Sequence, residues 1–296
     1  MKIIITIPAY NEEKTIGRVI SDIKRVMDNT KDKYNYKILI VDDGSKDKTA
    51  EIAKKAGAIV YSHPRNYGLA EAFRTEIKLC LKLGADIIVH TDADGQYLAK
   101  DIPTLIEEVK KGNDLVLGSR FRGTIEEMPF IKRLGNKAFS RVVSNITHMN
   151  INDAQTGFRA FNRKLAERIP IISTHTYTQE QIIKAVKEKF KVKEVPIYFA
   201  KREGGKSRLM KGPFEYAAKA FVNILRVYRD YEPLKFFGFF GETLMALGFL
   251  IALFFLYEHL TTGIQGHIGL LFLMIILLFS GLQIILFGFL ADMMRK

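Results

Sequence analysis

The chain has 296 residues, of which 48% are hydrophobic and 26% charged, so it can form one large domain with an appendage, or two domains. The formal net charge is +13, and the single cysteine, Cys80, excludes internal disulfides and cysteine metal clusters. The charge is unevenly distributed, because the charged residues from Phe236 onward are only Glu242, Glu258, Asp292, Arg295 and Lys296. The composition therefore predicts a basic water-soluble part followed by an apolar tail.

The soluble part begins with apolar, β-branched runs that alternate with amphipathic segments. Strands are predicted at 3–7, 37–41, 58–61, 86–90 and 114–118, and helices at about 12–27, 47–56, 69–83 and 101–111. This alternation predicts a mostly parallel α/β sheet. In such sheets, ligands bind beyond the carboxyl ends of the strands.

Three polar segments follow predicted strands directly, and parallel strands would bring them to one edge of the sheet. They are Pro8–Glu12, Asp42–Ser45 and Asp92–Gln96. In the third segment, Asp92, Asp94 and Gln96 offer oxygen ligands at two-residue spacing, which suits Mg²⁺ or Mn²⁺ whose remaining ligands are substrate phosphates. The position after a buried strand favours a metal site over a solvated acidic turn.

Two later segments, 131–146 and 214–228, predict basic amphipathic helices. In the first, the predicted apolar face consists of Ile131, Leu134, Ala138, Val142 and Ile146. The basic residues Lys132, Arg133, Lys137 and Arg141 fall largely outside that face. Such helices suit an anionic membrane surface, and ordinary packing helices with a solvated charged face are the alternative.

The apolar tail contains two segments, Phe236–Tyr257 and Ile268–Ala291, that are long enough to cross a membrane as helices. Arg and Lys residues precede the first segment and follow the second, whereas the connecting loop 258–267 contains neither. The positive-inside rule therefore predicts two spans, with the soluble part and both termini in the cytoplasm.

Five motifs occur in a specific order along the soluble part: Pro8–Glu13, Asp42–Ser45, Asp92–Gln96, Gly118–Arg120 and Gln155–Arg159. Together they resemble the family 2 glycosyltransferases of the GT-A fold, and in particular the polyprenyl-phosphate branch with its dolichyl-phosphate mannose and glucose synthases. The resemblance implies a Rossmann-like, nucleotide-sugar-binding GT-A domain over 1–212. It also implies an amphipathic interface helix and linker over 213–235, and a transmembrane hairpin over 236–296.

The implied activity is the inverting transfer of a hexose from a UDP- or GDP-sugar to a polyprenyl (dolichyl) phosphate at the cytoplasmic membrane face, with Mg²⁺ or Mn²⁺ as cofactor. The residues implied in nucleotide-sugar binding are Pro8, Tyr10, Glu12, Val41, Asp43, Asp92, Ala93, Asp94, Arg120, Lys206 and Arg208. The metal ligands would be Asp92, Asp94 and Gln96.

For the acceptor, the expected phosphate-binding residues are Arg133, Lys137 and Arg208. The expected catalytic residues are Asp94, Arg120, Asp153 and Glu180. Arg120 is expected in a loop after the last strand, facing phosphate or sugar. Asp153 and Glu180 are candidates for positioning the acceptor, and a helix cap or a solvated helix carboxylate is an equally open interpretation of them.

Two other functions are compatible with the sequence. The first is a membrane glycosyltransferase that acts on a lipid or glycan hydroxyl, which would need a general base. The second is a non-catalytic, nucleotide-sugar-binding membrane scaffold, which the intact metal motif disfavours. No nucleic-acid-binding motif accompanies the positive charge, so nucleic acid is not an expected partner. The sugar, the base, the lipid length and a homo-oligomeric state stay open.

Overall fold

The computed structural model of the chain describes residues 1–30, 34–172, 177–202, 213–261 and 267–294, with 213–220 described by their backbone. Lys206 and Arg208 lie outside these residues. The chain divides into two compact units, Met1–Tyr216 and Ala217–Lys296. The described β-sheet belongs to the first unit, and two long apolar helices belong to the second.

The first unit alternates strands and helices from its first residues. Its described strands are β1 (Lys2–Ala9), β2 (Asn35–Asp42), β3 (Ile59–Ser62), β4 (Ile87–His90), β5 (Leu115–Ile125), β6 (Arg159–Asn162) and β7 (Val192–Phe199). Its helices are α1 (Ile16–Asp28), α2 (Thr49–Lys55), α3 (Leu69–Lys82), α4 (Ile102–Lys110), α5 (Phe130–Thr147), α6 (Arg163–Arg168) and α7 (Thr178–Lys187). The five predicted strands and four predicted helices up to residue 118 are all present.

The seven described strands form one mixed sheet in the order β3-β2-β1-β4-β6-β5-β7. Strands β1 to β4 run parallel, β5 pairs in parallel with β7, and β6 is antiparallel to both β4 and β5. The sequence analysis did not predict β6 or β7. Strand β6 has four residues and polar ends, and β7 contains Pro196, which an edge strand tolerates because it needs fewer backbone donors.

Helices cover both faces of the sheet, as its apolar strands require. Ile3, Ile4 and Ile5 of β1 are all fully buried although their side chains alternate between the two faces. Residues of α1 and α4 share a hydrophobic cluster with Ile3 and Ile5. On the opposite face, α3 packs through Phe73, whose ring centroid lies 6.2 Å from that of Phe161 in β6.

Helix α5 is confirmed as a helix, but only part of its predicted apolar face is buried. Val142 and Ile146 are buried, whereas Ile131 and Leu134 are 41% and 59% exposed. Together with Phe130, which is 78% exposed, these two residues form an outward-facing cluster that we call the α5 apolar patch. The first turns of α5 therefore place large apolar side chains in contact with solvent.

The second unit contains the greater part of α8 (Pro213–Tyr231), followed by α9 (Pro233–Thr261) and α10 (Ile268–Met293). Helices α9 and α10 have mean hydropathies of 2.1 and 2.8 in their most apolar stretches, of which 17% and 6% is buried. At 1.5 Å per residue each exceeds the ~30 Å of a hydrocarbon layer. Such low burial is not typical of soluble core helices, so both helices are long and apolar enough to cross a membrane.

Glycines allow α9 and α10 to pack closely. A Cβ atom on Gly241 would lie 2.7 Å from the carbonyl oxygen of Gly281, and the reverse distance is the same. A Cβ atom on Gly248 would lie 2.8 Å from Cγ of Leu278. Small residues at such contacts let two apolar helices approach by their backbones, which gives the packing that stabilises helix pairs in lipid.

Candidate active site

The polar segments that follow β1, β2 and β4 lie at one edge of the sheet, because β1 pairs in parallel with both neighbours. Backbone and side-chain hydrogen bonds join the segments. Asp43 N donates to the carbonyl oxygen of Ala9 over 2.8 Å, and Asn11 N donates to Ser45 Oγ over 2.8 Å. The structure thus brings together the segments from which the sequence predicts a nucleotide-binding edge.

Asp43, at the end of β2, is buried and fully engaged by its own chain. Its Oδ1 accepts from Tyr67 N over 2.9 Å and lies 2.8 Å from His63 Nδ1, while its Oδ2 accepts from Gly68 N over 2.8 Å. The carboxylate therefore fixes the segment that leads from β3 into α3. A direct contact between Asp43 and a nucleoside stays a prediction.

The other residues predicted to contact the nucleoside occupy the same edge. Pro8, Tyr10 and Glu12 are partly exposed there, and Val41 is buried opposite Pro8 in the register of β1 and β2. The edge thus offers a proline, an aromatic ring and a carboxylate to a ligand.

Residues Asp92–Gln96, which we call the metal motif, form a tight turn after β4. Asp94 Oδ1 accepts from Gln96 N over 3.0 Å, and Gly95 adopts a φ of +75°, which favours glycine. Ala93 is buried, whereas Asp92 and Asp94 are partly exposed. Both carboxylates therefore sit on a turn whose backbone is fixed by hydrogen bonding.

Two other segments of the chain contact the side chains of this turn. Gly157 lies against the first carboxylate, since a Cβ atom there would come within 3.0 Å of Asp92 Oδ1. The side-chain amide of Gln96 donates to the carbonyl oxygen of Ala200 over 3.1 Å. The predicted third ligand is thus anchored to the segment after β7.

The two carboxylates fit a divalent cation that binds together with phosphate groups. Burial, followed by the charge of Asp94, raises the pKa of Asp92 to about 6, as expected for two carboxylates in one site. In the part of the chain that the structure describes, no three His, Cys, Asp or Glu side chains are grouped to hold a metal. Two protein carboxylates are enough for Mg²⁺ or Mn²⁺, because water and substrate phosphates supply the remaining oxygen ligands.

Two cationic side chains interact electrostatically with these carboxylates. Arg202 has one guanidinium nitrogen 3.2 Å from Asp94 Oδ2 and 3.9 Å from Glu12 Oε1. The pKa of Lys132 is lowered by burial and then by the charge of Arg120, and the charges of Asp94 and Asp92 oppose that shift. The site therefore combines a carboxylate pair with positive charges that can bind anionic groups.

Lys132 differs from Arg133 and Lys137, for which binding of the acceptor phosphate stays a prediction. Both predicted residues are exposed, whereas Lys132 is half-buried and lies one helical turn before the buried Asn136. Successive helical residues are about 100° apart, so Arg133 and Lys137 share an outer face and Lys132 turns inward. Of the three, Lys132 is the half-buried one, and its charge interacts with those of Asp94 and Asp92.

The structure also corrects the environment of Arg120, because β5 continues to Ile125 and Arg120 lies within this strand instead of in a loop. Its Nε and one terminal nitrogen each donate to Asp153 over 2.7 Å, and its backbone N donates to the same carboxylate over 3.0 Å. Glu194 in turn accepts from Asp153 N over 2.8 Å. Arg120 and Asp153 are both buried and form a bidentate ion pair. A contact of either residue with substrate stays a prediction.

Serine hydroxyls of α5 hold the segment that carries Asp153. Ser140 Oγ accepts from Ala154 N over 3.0 Å, and Ser144 Oγ accepts from Ile151 N over 3.0 Å. These two contacts lie four residues apart on one side of the helix. Segment 151–154 is therefore attached to α5 at both of its ends.

Glu180, in the first turn of α7, is buried and makes local contacts. Its Oε1 accepts from Ile172 N over 2.8 Å and lies 2.6 Å from Lys184 Nζ. These contacts tie the segment before α7 to the helix, which favours the structural interpretation of Glu180. A role in positioning an acceptor stays a prediction.

Sequence reasoning missed Lys132 and Arg202. The spacing of Lys132 from Asn136 and Phe139, four and seven residues later, places all three on one helical face and could have identified it. Sequence patterns do not separate Arg202 from the neighbouring basic residues of the Gly-rich segment.

The chain is similar to several known proteins. A family model described as "Glycosyl transferase family 2" matches residues 4–170. The chain is 32% identical over 219 residues to a "Dolichyl-phosphate hexose transferase" of Haloferax volcanii, a match that covers 74% of this chain and 90% of that protein. It is 34% identical over 220 residues to a "UDP-N-acetylglucosamine--dolichyl-phosphate N-acetylglucosaminyltransferase" of Methanococcus voltae, covering 66% and 84%.

Among solved structures, the fold is similar to that of glucosyl-3-phosphoglycerate synthase from Mycobacterium tuberculosis, crystallised with Mn²⁺, uridine diphosphate and phosphoglyceric acid. The TM-score is 0.59 at 19% identity, and the match covers 77% of each chain. This similarity confirms the GT-A fold.

Proposed function

The chain belongs to glycosyl transferase family 2, and we propose that it transfers a hexose from a nucleoside-diphosphate sugar to a polyprenyl phosphate at the cytoplasmic face of a membrane. A phosphate oxygen of the lipid attacks the anomeric carbon, the bond from that carbon to the diphosphate breaks, and the nucleoside diphosphate leaves. A single displacement of this kind inverts the anomeric configuration. The two archaeal relatives, both named for transfer to dolichyl phosphate, support the choice of acceptor.

The observation that carries the proposal is a pair of carboxylates that interact with the cations Arg202 and Lys132. Asp92 and Asp94 would hold a divalent cation, with Gln96 as the third candidate ligand. When bound, Mg²⁺ or Mn²⁺ offsets the negative charge that develops on the departing diphosphate. Arg202, paired with Asp94 in this structure, adds positive charge at the place where the diphosphate would lie.

The contacts of Asp153 and Glu180 with cationic side chains favour a phosphate acceptor over a hydroxyl acceptor. Asp153 accepts hydrogen bonds from two guanidinium nitrogens of Arg120, and Glu180 is paired with Lys184. A hydroxyl acceptor would need one of them as a general base. A phosphate monoester, with a second pKa of about 6, is already ionised near neutral pH and needs a cation instead. We assign that role to Lys132.

Helices α9 and α10 and the surface of α5 support the proposed attachment to a membrane. The α5 apolar patch is accompanied by the exposed cations Arg133 and Lys137. Apolar side chains among basic ones suit the boundary between acyl chains and anionic headgroups. In this proposal Arg133 and Lys137 contact lipid headgroups around the acceptor.

The test is transfer by the purified full-length protein in detergent, with a panel of labelled UDP- and GDP-hexoses. Polyprenyl phosphate and the matching polyprenol, which lacks the phosphate, are offered in parallel. We expect an inverted glycosyl linkage on the phosphate and no product from the alcohol. Transfer to the alcohol at a comparable rate would establish the hydroxyl-acceptor alternative. Binding of a nucleotide sugar without turnover on any acceptor would establish the scaffold alternative.

A further inference from the structure

A chain of buried polar side chains lies behind the metal motif. Glu76 of α3, His90 at the end of β4 and Tyr177 before α7 are each 0–1% exposed. His90 Nδ1 lies 2.8 Å from Glu76 Oε2, and His90 Nε2 lies 2.6 Å from the hydroxyl of Tyr177. The three side chains thus connect two helices to the strand from which the metal motif emerges two residues later.

The contacts are consistent with one directed series of donors. A neutral imidazole that donates from Nδ1 to Glu76 leaves Nε2 free to accept, and the hydroxyl of Tyr177 donates to it. Phe73 fixes the rings, since it stacks on Tyr177 with centroids 3.9 Å apart and meets His90 edge-on at 5.0 Å. The orientation of His90 is therefore determined by its two hydrogen bonds and by Phe73.

This arrangement costs stability, because it buries a carboxylate that is only partly satisfied. Glu76 Oε1 has no hydrogen-bond partner within the described residues. Burial of an incompletely paired polar group destabilises a fold. An apolar residue at position 76 would avoid this cost, so packing does not explain the presence of Glu76.

A second connection runs from Tyr177 to the same carboxylate. The fully buried guanidinium of Arg159 lies 5.2 Å from the centroid of the Tyr177 ring and donates to the carbonyl oxygen of Thr156. The next residue, Gly157, is the one that lies against Asp92. Two connections therefore lead to Asp92: one along the chain from His90, and one from Arg159 through Thr156 and Gly157.

We propose that Glu76, His90 and Tyr177 are positioning residues that set the orientation of Asp92 and thereby the affinity of the site for its divalent cation. The inference rests on the proposed function, because it takes Asp92 as a metal ligand. Groups that orient metal ligands commonly change metal affinity by 10- to 100-fold when they are replaced.

Tyr177→Phe is the sharpest test, because it removes one hydroxyl and keeps the ring that stacks on Phe73. The matched control is Tyr36→Phe, which removes the hydroxyl that donates to Asp28 over 2.7 Å near the amino end of β2. Full-length proteins are titrated with Mn²⁺ in the presence of UDP or GDP, and free Mn²⁺ is measured by electron paramagnetic resonance against a protein-free blank. Melting temperatures are recorded in parallel.

We expect Tyr177→Phe to raise the dissociation constant for Mn²⁺ about tenfold and Tyr36→Phe to leave it unchanged. His90→Asn, which retains a donor toward Glu76 and loses the contact with Tyr177, should weaken Mn²⁺ binding in the same direction. Wild-type affinity in both His90→Asn and Tyr177→Phe would overturn the inference, even if their melting temperatures fall. If wild-type protein binds no Mn²⁺ beyond the blank, the metal assignment in the proposed function is itself wrong.

Discussion

The ion pair between Arg120 and Asp153 gives a prediction that separates a structural from a catalytic role. Asp153→Leu would leave the Arg120 guanidinium buried without the carboxylate that two of its nitrogens contact at 2.7 Å. Breaking one partner of a buried pair costs about 3–5 kcal/mol. For a unit of this size, each kcal/mol corresponds to roughly 2–4 °C, so the melting temperature should fall by roughly 6–20 °C.

The double variant Arg120→Met/Asp153→Leu removes both charges and should regain most of that loss, since apolar side chains can replace a buried pair at little cost. Thermal unfolding of the purified protein, followed by circular dichroism, measures all three proteins. Asp153→Asn supplies the decisive comparison. If Asp153→Asn melts like the wild type and yet has lost all transfer activity, Asp153 is a general base and our structural assignment is wrong.

Three further predictions test the site and the topology. Lys132→Gln should raise the KM for polyprenyl phosphate tenfold or more, because it removes a charge-assisted contact worth about 1.5–3 kcal/mol. The control Arg133→Gln should change this KM little, and equal effects of the two variants in steady-state kinetics would contradict the assignment of Lys132. Asp94→Ala should abolish transfer in a protein that is still folded and membrane-inserted, and full wild-type activity in excess chelator would refute the metal site. A cysteine placed between α9 and α10 should react with a membrane-impermeant thiol reagent in intact cells, whereas a cysteine at the exposed position Glu127 should not. The native Cys80 gives no background because it is buried, and the reverse labelling pattern would show the opposite topology.

Most of the fold was predictable because its early strands are apolar and β-branched and its helices are strongly periodic. The strands that escaped prediction differ in just these respects. Strand β6 consists of Arg159, Ala160, Phe161 and Asn162, and its short antiparallel insertion gives no alternation to recognise. Strand β5 was predicted to end at Gly118, because the polar residues after it are typical of a loop, yet pairing with β7 extends it to Ile125.

The features of the site likewise divide into those that local sequence patterns predict and those that depend on tertiary contacts. The spacing of Asp92 and Asp94 and their position after a strand are properties of the sequence itself. The partner of Arg120 is 33 residues away in the chain, and no spacing rule identifies it. Similarly, the hydrophobic pattern alone could not decide whether Ile131 and Leu134 face the core or solvent, because that depends on which elements pack against their helix.

The attachment of α5 to segment 151–154 has a consequence for which lipids can serve as acceptors. Leu134 is about 200° around the helix from Lys132, so the apolar patch and the inward cation lie on opposite sides of one helix. Ser140 and Ser144 prevent α5 from sliding by a turn without the loss of two hydrogen bonds. In the proposed function, α5 would separate the plane of the headgroups from the inward cation by the diameter of a helix, about 10–12 Å. On that proposal, we expect the height of the lipid phosphate above the bilayer to decide whether the lipid is accepted.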